Sequence, residues 1–219
     1  MKKFNTLDAA AIIIWLLPAA YLFYLYPILP LSVPIHFGID GTPDGFGDKN
    51  DLVKTIAILM ITVVGIYFLL KFLPAIDPKK TASLGVTVFQ KLALTVVYFM
   101  SALGIIILLA ATHKGLKINN ILLPAIGIMF AFIGNLMNNI KPNYFAGIRT
   151  PWTLEDPENW RVTHRLASKL WFFGGIGLTI VTLLLPAVAS FVVFMSAVAV
   201  LALVPVVYSF IYFKKHQVK

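Results

Sequence analysis

The sequence predicts an all-α integral membrane protein with six transmembrane helices, both termini cytoplasmic, one long extracellular loop (27–52) and one long cytoplasmic loop (141–169). Three observations carry this expectation. The 219 residues are 59% hydrophobic and 12% charged, against about 45–50% apolar and about 25% charged in a soluble domain. Five uncharged apolar stretches recur along the chain, the last long enough to cross a bilayer core of about 30 Å twice. The lysines and arginines between those stretches fall fourteen on one side and four on the other.

The uncharged stretches are 9–26, 55–70, 92–112, 118–140 and 170–213. The first follows Met1-Lys2-Lys3 as a secretory signal would, but it runs on through Tyr26 without a small-residue cleavage site, so a retained first helix is expected. The last has 44 residues, and at about 1.5 Å per residue a single helix of that length would measure about 66 Å. Pro186, with the small and polar residues that follow to Ser190, is where it should break into helices five and six.

Basic loops resist translocation, and this orients the chain. With the N-terminus inside, Lys2, Lys3, Lys71, Lys79, Lys80, Lys91, Lys141, Arg149, Arg161, Arg165, Lys169, Lys214, Lys215 and Lys219 are cytoplasmic, and Lys49, Lys54, Lys114 and Lys117 are outside. The net charge of +9 is therefore scattered between spans, not gathered into the stripe that nucleic acid requires. No direct nucleic-acid binding is expected. The chain has no cysteine, which removes disulfides and thiolate metal sites.

The outer loop has three prolines between Pro27 and Pro34 that forbid a helix, then Ile35-His36-Phe37, for which a short strand at 35–39 is expected. Gly41-Thr42-Pro43-Asp44-Gly45-Phe46-Gly47 reads as a tight turn. His36 with Asp40, Asp44, Asp48 and Asp51 has the donor types of a cation site. The spacing fits no calcium-loop template, so turn and cap roles are expected, with Asn50 or Asp51 capping the second span, and no metal or cofactor. His36, Phe37, Asp44 and Phe46 are the extracellular site candidates, an edge strand that docks a peptide being the other use of this loop.

In the inner loop, Asp156-Pro157-Glu158 predicts a helix start. Trp160, Thr163, His164 and Ala167 follow with helical spacing, while Arg161, Arg165 and Lys169 form a separate basic stripe expected to meet lipid phosphates. Tyr144, Trp152, Trp160 and Trp171 have the amphipathic rings of headgroup depth. Arg149, between Gly147 and Pro151, would present a planar donor fork to a carboxylate or phosphate. Arg149, Thr150, Trp152, Trp160, Arg161 and Arg165 are the partner- or ligand-binding candidates.

The run from Gly134-Asn135 through Gly147-Ile148-Arg149-Thr150-Pro151-Trp152-Thr153-Leu154 to Trp160 and Arg165-Leu166-Ala167-Ser168-Lys169 resembles the signature of the SdpI family of bacterial membrane proteins. The outer-loop residues Leu29-Pro30, Ile35-His36-Phe37 and Pro43-Asp44-Gly45-Phe46-Gly47-Asp48-Lys49 resemble the domain of unknown function common at that family's N-terminus. The resemblance implies an N-terminal helix pair with its loop (1–75) followed by a four-helix region with the Arg-Thr-Pro-Trp loop (76–219). It further implies toxin resistance or immunity and signalling, with membrane lipids, a peptide toxin outside and a transcriptional repressor inside as partners.

Two other classes compete. A transporter of a hydrophobic or peptide-like solute is the alternative. A coupled transporter would carry charges inside its spans, and here the uncharged cores contain no Asp, Glu, Lys, Arg or His, only Asn135, Asn138 and Asn139 near one end. Gly127, Gly134, Gly174 and Gly175 are expected to pack helices closely. An enzyme is not expected, since no His-Glu-x-x-His or nucleophile-elbow pattern occurs. Reporter fusions after Pro43 and after Asp156 are expected to report opposite faces of the membrane. The same face for both would break the six-span topology.

Overall fold

The computed structural model describes residues 4–77, 82–113 and 115–217. Lys2, Lys3, Lys79, Lys80, Lys114 and Lys219, counted above for topology, lie outside the described residues. Helix α1 (Thr6–Leu25) opens on Asn5, whose side chain accepts the Asp8 amide while the Asp8 carboxylate accepts the Asn5 amide. This reciprocal cap satisfies two amides that the first turn would otherwise leave open. A 3-10 turn (Tyr26–Ile28) leads into β1 (Ser32–Phe37), which pairs antiparallel with β2 (Pro43–Asp48).

The hairpin corrects two expectations. The strand starts earlier than 35–39 and has a partner in the segment read as a turn; the reversal lies at 38–42, where Gly38 and Thr42 are bonded and Gly41 has φ +77°. The Asp40 carboxylate accepts the Thr42 amide at 3.1 Å and its hydroxyl at 2.7 Å, so the chain has already turned when it reaches Pro43. A proline is tolerated there as the first residue of a strand. The second correction is the cap of α2 (Lys49–Ile76): it is Asp48, which accepts from the amides of Asn50 and Asp51, while Asp51 returns a bond to the Asp48 amide.

Helices α3 (Ala82–Thr112), α4 (Asn119–Met137), the short α5 (Pro151–Glu155), α6 (Pro157–Leu184) and α7 (Ala187–Gln217) complete the chain. The expected start of α6 holds, with Asp156 capping the Glu158 amide and Pro157 in the first position. The expected break also holds: α6 ends before Pro186, and the Ser190 hydroxyl donates back to the Leu185 carbonyl at 3.0 Å. Six helices are long and apolar enough to cross a bilayer. Their outward faces present Phe23, Ile61, Phe173 and Leu184, all exposed. Apolar exposure on this scale is not tolerated in water; the chain is a multi-pass membrane protein.

Helices α1, α2 and α3 pack with the hairpin around Leu25, Val33, Leu52, Ile56 and Leu108. Helices α4, α6 and α7 pack around Leu123, Leu178, Phe194 and Leu201, and α3 leans on α4. The hairpin turn is stapled to the start of α4, where Ile118 donates to the Gly41 carbonyl at 3.0 Å and the Asn119 side chain to the Ile39 carbonyl at 2.8 Å. The inner loop follows the end of α4, so the two loops lie at opposite ends of a helix about 28 Å long.

The tightest contact is between α4 and α6. A Cβ on Gly175 would sit 2.5 Å from the Ala131 nitrogen and the Gly127 carbonyl oxygen, and one on Gly134 would strike the Phe172 amide and lie 2.8 Å from the Trp171 carbonyl carbon. Only glycine lets the backbones approach this closely, and the Ser168 hydroxyl adds a bond to the Gly134 carbonyl at 2.7 Å. Gly134→Ala is expected to destabilise the protein by about 1–3 kcal/mol, the usual cost of overpacking. Gly65→Ala, where a Cβ meets nothing within 4 Å, is the control, expected neutral or slightly stabilising in a helix. Thermal unfolding in detergent compares them; equal loss in both would show the contact to be slack.

Candidate functional site

The inner loop is built on side chains that replace absent backbone pairing. Buried Asn143 is its hub: Oδ1 accepts the amides of Phe145 (2.8 Å) and Ala146 (2.7 Å), and Nδ2 donates to the carbonyls of Lys141 (2.8 Å) and Ala146 (3.0 Å). All of its ordinary bonding capacity is used. The next reversal is Gly147, at φ +114°, where a Cβ would strike His164 Nε2 and lie 3.2 Å from the Trp160 ring.

That approach brings the Ile148 amide onto His164. Nε2 accepts it at 3.1 Å, and Nδ1 lies 2.8 Å from the Trp160 carbonyl, to which it donates. One nitrogen must accept and the other must donate, so the ring is the neutral Nδ1-H tautomer. It stacks on the indole of Trp160 at 4.0 Å between centroids, and that indole donates to the Ile140 carbonyl at 2.8 Å. Thr153 closes the far side, its hydroxyl donating to the Ile148 carbonyl and accepting the Thr150 amide, both at 2.9 Å. Thr150 caps α5.

The sequence candidates separate on this frame. Trp160 is 2% exposed and belongs to the core with Leu136, Met137 and Ile140, its ring turned to the protein and not to solvent or lipid. Its place on the face shared with Thr163 and Ala167, both buried, explains this. Trp152 donates to Ser209 Oγ at 2.7 Å and lies against Phe210 and Phe213, tying α5 to α7. Trp171 donates likewise to the Leu201 carbonyl at 2.9 Å. Arg161 is engaged by Glu158 one turn before it, at 2.7 and 2.5 Å, on an exposed face. Arg165 is exposed one turn on. Arg149 is exposed and donates through Nη1 to the Tyr144 carbonyl, which among the described residues uses one of its five N–H groups.

At the other end, His36 Nδ1 is 2.5 Å from the Asp44 carboxylate, both side chains exposed. Phe46 is exposed opposite Pro34, and Phe37 is half-buried against Ile106, Ala110 and Ile118. The Thr42 hydroxyl and amide hold the Asp40 carboxyl below its ordinary pKa. Among the described residues no group of three or more His, Asp or Glu side chains is placed to hold a metal.

Sequence reasoning missed one feature. Asp8 on α1 and Lys71 on α2 form an ion pair of 2.8 Å, with side chains only 3% and 10% exposed, and the Tyr67 hydroxyl donates to the same carboxylate. The windows chosen as span cores began after Asp8 and stopped before Lys71, so the helices that form reach charges the windows left out. The signal was present: Tyr67 and Lys71 are four apart, hence on one helix face, and Asn5-x-x-Asp8 is a capping pair.

Residues 139–209 match the SdpI/YfhL protein family, and residues 13–66 match a domain of unknown function (DUF1648). The immunity protein SdpI of Bacillus subtilis (strain 168) is 30% identical over 151 residues, covering 67% of each chain. The chain belongs to the SdpI/YfhL family. Its six apolar helices and its family place it in the cell membrane as a multi-pass protein. No solved structure matches. The family match spans the whole inner loop and α6, and the second match includes the hairpin.

Proposed function

We propose that this chain is an immunity protein of the cell membrane that senses or neutralises a peptide toxin at the hairpin face and signals through the inner loop. The observation that supports it best is the likeness to a protein named for immunity, which covers two thirds of this chain. In this reading residues 1–75, with the hairpin, meet the toxin outside, and residues 76–219 contain the responding loop, with both termini inside. The exposed His36–Asp44 pair and Phe46 give the hairpin a polar and an apolar contact side by side. The exposed Arg149, steadied by Tyr144 on a loop whose neighbours are fixed, suits a carboxylate or phosphate on a cytoplasmic regulator. A transcriptional repressor recruited to the membrane is such a partner. The same likeness supports a role without catalysis.

A second reading has one observation in its favour. A cleft of about 730 Å³ between α3 and α4, lined by Leu94, Tyr98, Phe99, Phe132 and Asn135 with Lys91 at one end, would suit transport of an apolar or peptide-like solute. Survival separates the two. Wild type, Arg149→Lys and Trp152→Ala, at equal membrane levels in a toxin-sensitive host, are challenged with peptide toxins. An ammonium cannot reproduce the planar fork, and losing a charged hydrogen bond of about 1.5–3 kcal/mol lowers affinity about ten- to a hundredfold. Arg149→Lys is expected to lose protection on that scale with insertion unchanged. Equal protection by all three would remove the loop from the mechanism, and none by wild type would favour transport.

A further inference from the structure

The buried pair of Asp8 and Lys71 stands at one end of a cleft that the inner-loop mechanism does not use. Between helices α1 and α2 it leaves about 260 Å³ lined by Ala11, Ile12, Trp15, Val63, Val64 and Phe68, with Val97 of α3 as part of its wall. Ile12 and Phe68 are exposed, so the cleft opens to the lipid side of the bundle. Its long wall is hydrocarbon and its end is polar.

The bonding at that end is lopsided. Asp8 Oδ1 accepts from both the Tyr67 hydroxyl and the Lys71 ammonium, and Oδ2 accepts the Asn5 amide at 2.9 Å. The carboxylate is largely satisfied. Lys71 carries three N–H groups, and among the described residues one goes to Asp8 while the Tyr67 ring lies 5.9 Å from the ammonium. Behind the cleft, Gln90 is 6% exposed beside Asn5 and, among the described residues, its Nε2 has no hydrogen-bond partner. What the cleft end still offers is the remaining donors of Lys71. A molecule that fits must bring an apolar tail and an acceptor head, and an anionic oxygen is favoured by the ammonium.

We propose that the α1–α2 cleft binds an anionic phospholipid, an acyl chain lying along Ile12, Trp15 and Val64 and the phosphate meeting Lys71. Lys71 lines the polar end of the cleft, and a lysine stem can run along apolar surface to bring its head to the headgroup level from within a span. Asp8 and Tyr67 fix the ammonium before the lipid arrives, so little side-chain freedom is lost on binding. The site is independent of the immunity reading and would exist in either functional class.

Native mass spectrometry of the full chain in mild detergent tests it, with phosphatidylglycerol and phosphatidylethanolamine of matched chains titrated separately. The wild type is expected to bind phosphatidylglycerol at least tenfold more tightly. Lys71→Gln alone strands a buried carboxylate and risks misfolding, so the deciding variant is Asp8→Asn with Lys71→Gln, which removes both charges; its preference is expected to vanish. Ile12→Trp, which fills the cleft and leaves the pair intact, is expected to weaken both lipids. Elution and unfolding midpoints like those of wild type establish that each variant is folded. Full preference in the double variant, no preference in wild type, or unchanged binding by Ile12→Trp would each overturn the proposal.

Discussion

The approach of α4 and α6 is the constraint on which the inner-loop end of the fold depends. Gly127 and Gly175 meet backbone to backbone, and Gly134 lies against Phe172. In lipid there is no hydrophobic drive to press helices together, so close packing and polar bonds must do it. The same contact carries the two ends of the inner loop into register: it brings Ile140, just past α4, within reach of the Trp160 indole on α6. A larger residue at Gly134 would push α6 outward, and the bond from Trp160 to Ile140 would be among the first to lengthen.

On that base the loop is ordered by very few groups. Asn143, His164 and Thr153 each take backbone bonds that a helix or sheet would otherwise supply. Trp152 and Asn159 both reach Ser209, so α7 is tied to the same frame. The consequence is an arginine presented from a fixed backbone rather than from a mobile linker, which lowers the ordering cost of meeting a partner. At the opposite end, the hairpin is joined to the start of α4 through Gly41 and Asn119. The two loops therefore share one helix, and a displacement of the hairpin has a direct mechanical route to α4.

Much of the fold was legible because membrane spans announce themselves in composition. The six helices, the break at Pro186, the Asp156–Pro157 start and the glycine contacts all follow from local chemistry that needs no distant partner. The hairpin was half legible: β2 has two glycines and a proline in six residues, which weighs against a strand unless the pairing with β1 is known. The surroundings of Trp160 were not legible, because an amphipathic ring suits the interface as well as a core that offers the Ile140 carbonyl. His164 looked unremarkable in sequence, since its role depends on the Ile148 amide, sixteen residues away and delivered by Gly147. The Asp8–Lys71 pair joins residues 63 apart, and a search for uncharged windows excludes such a pair by construction.

The inner loop is a rigid platform held by a neutral histidine. Amide hydrogen exchange in the 143–154 segment, resolved to single residues in detergent, tests it most directly. A rigid platform requires the Phe145, Ala146 and Ile148 amides to exchange as slowly as those in the turns of α6 nearest the loop. It also requires His164→Phe, which keeps a stacking ring but has no acceptor, to speed exchange at Ile148 by tenfold or more. Fast exchange of all three amides in the wild type, or an unchanged Ile148 rate in His164→Phe, would contradict it.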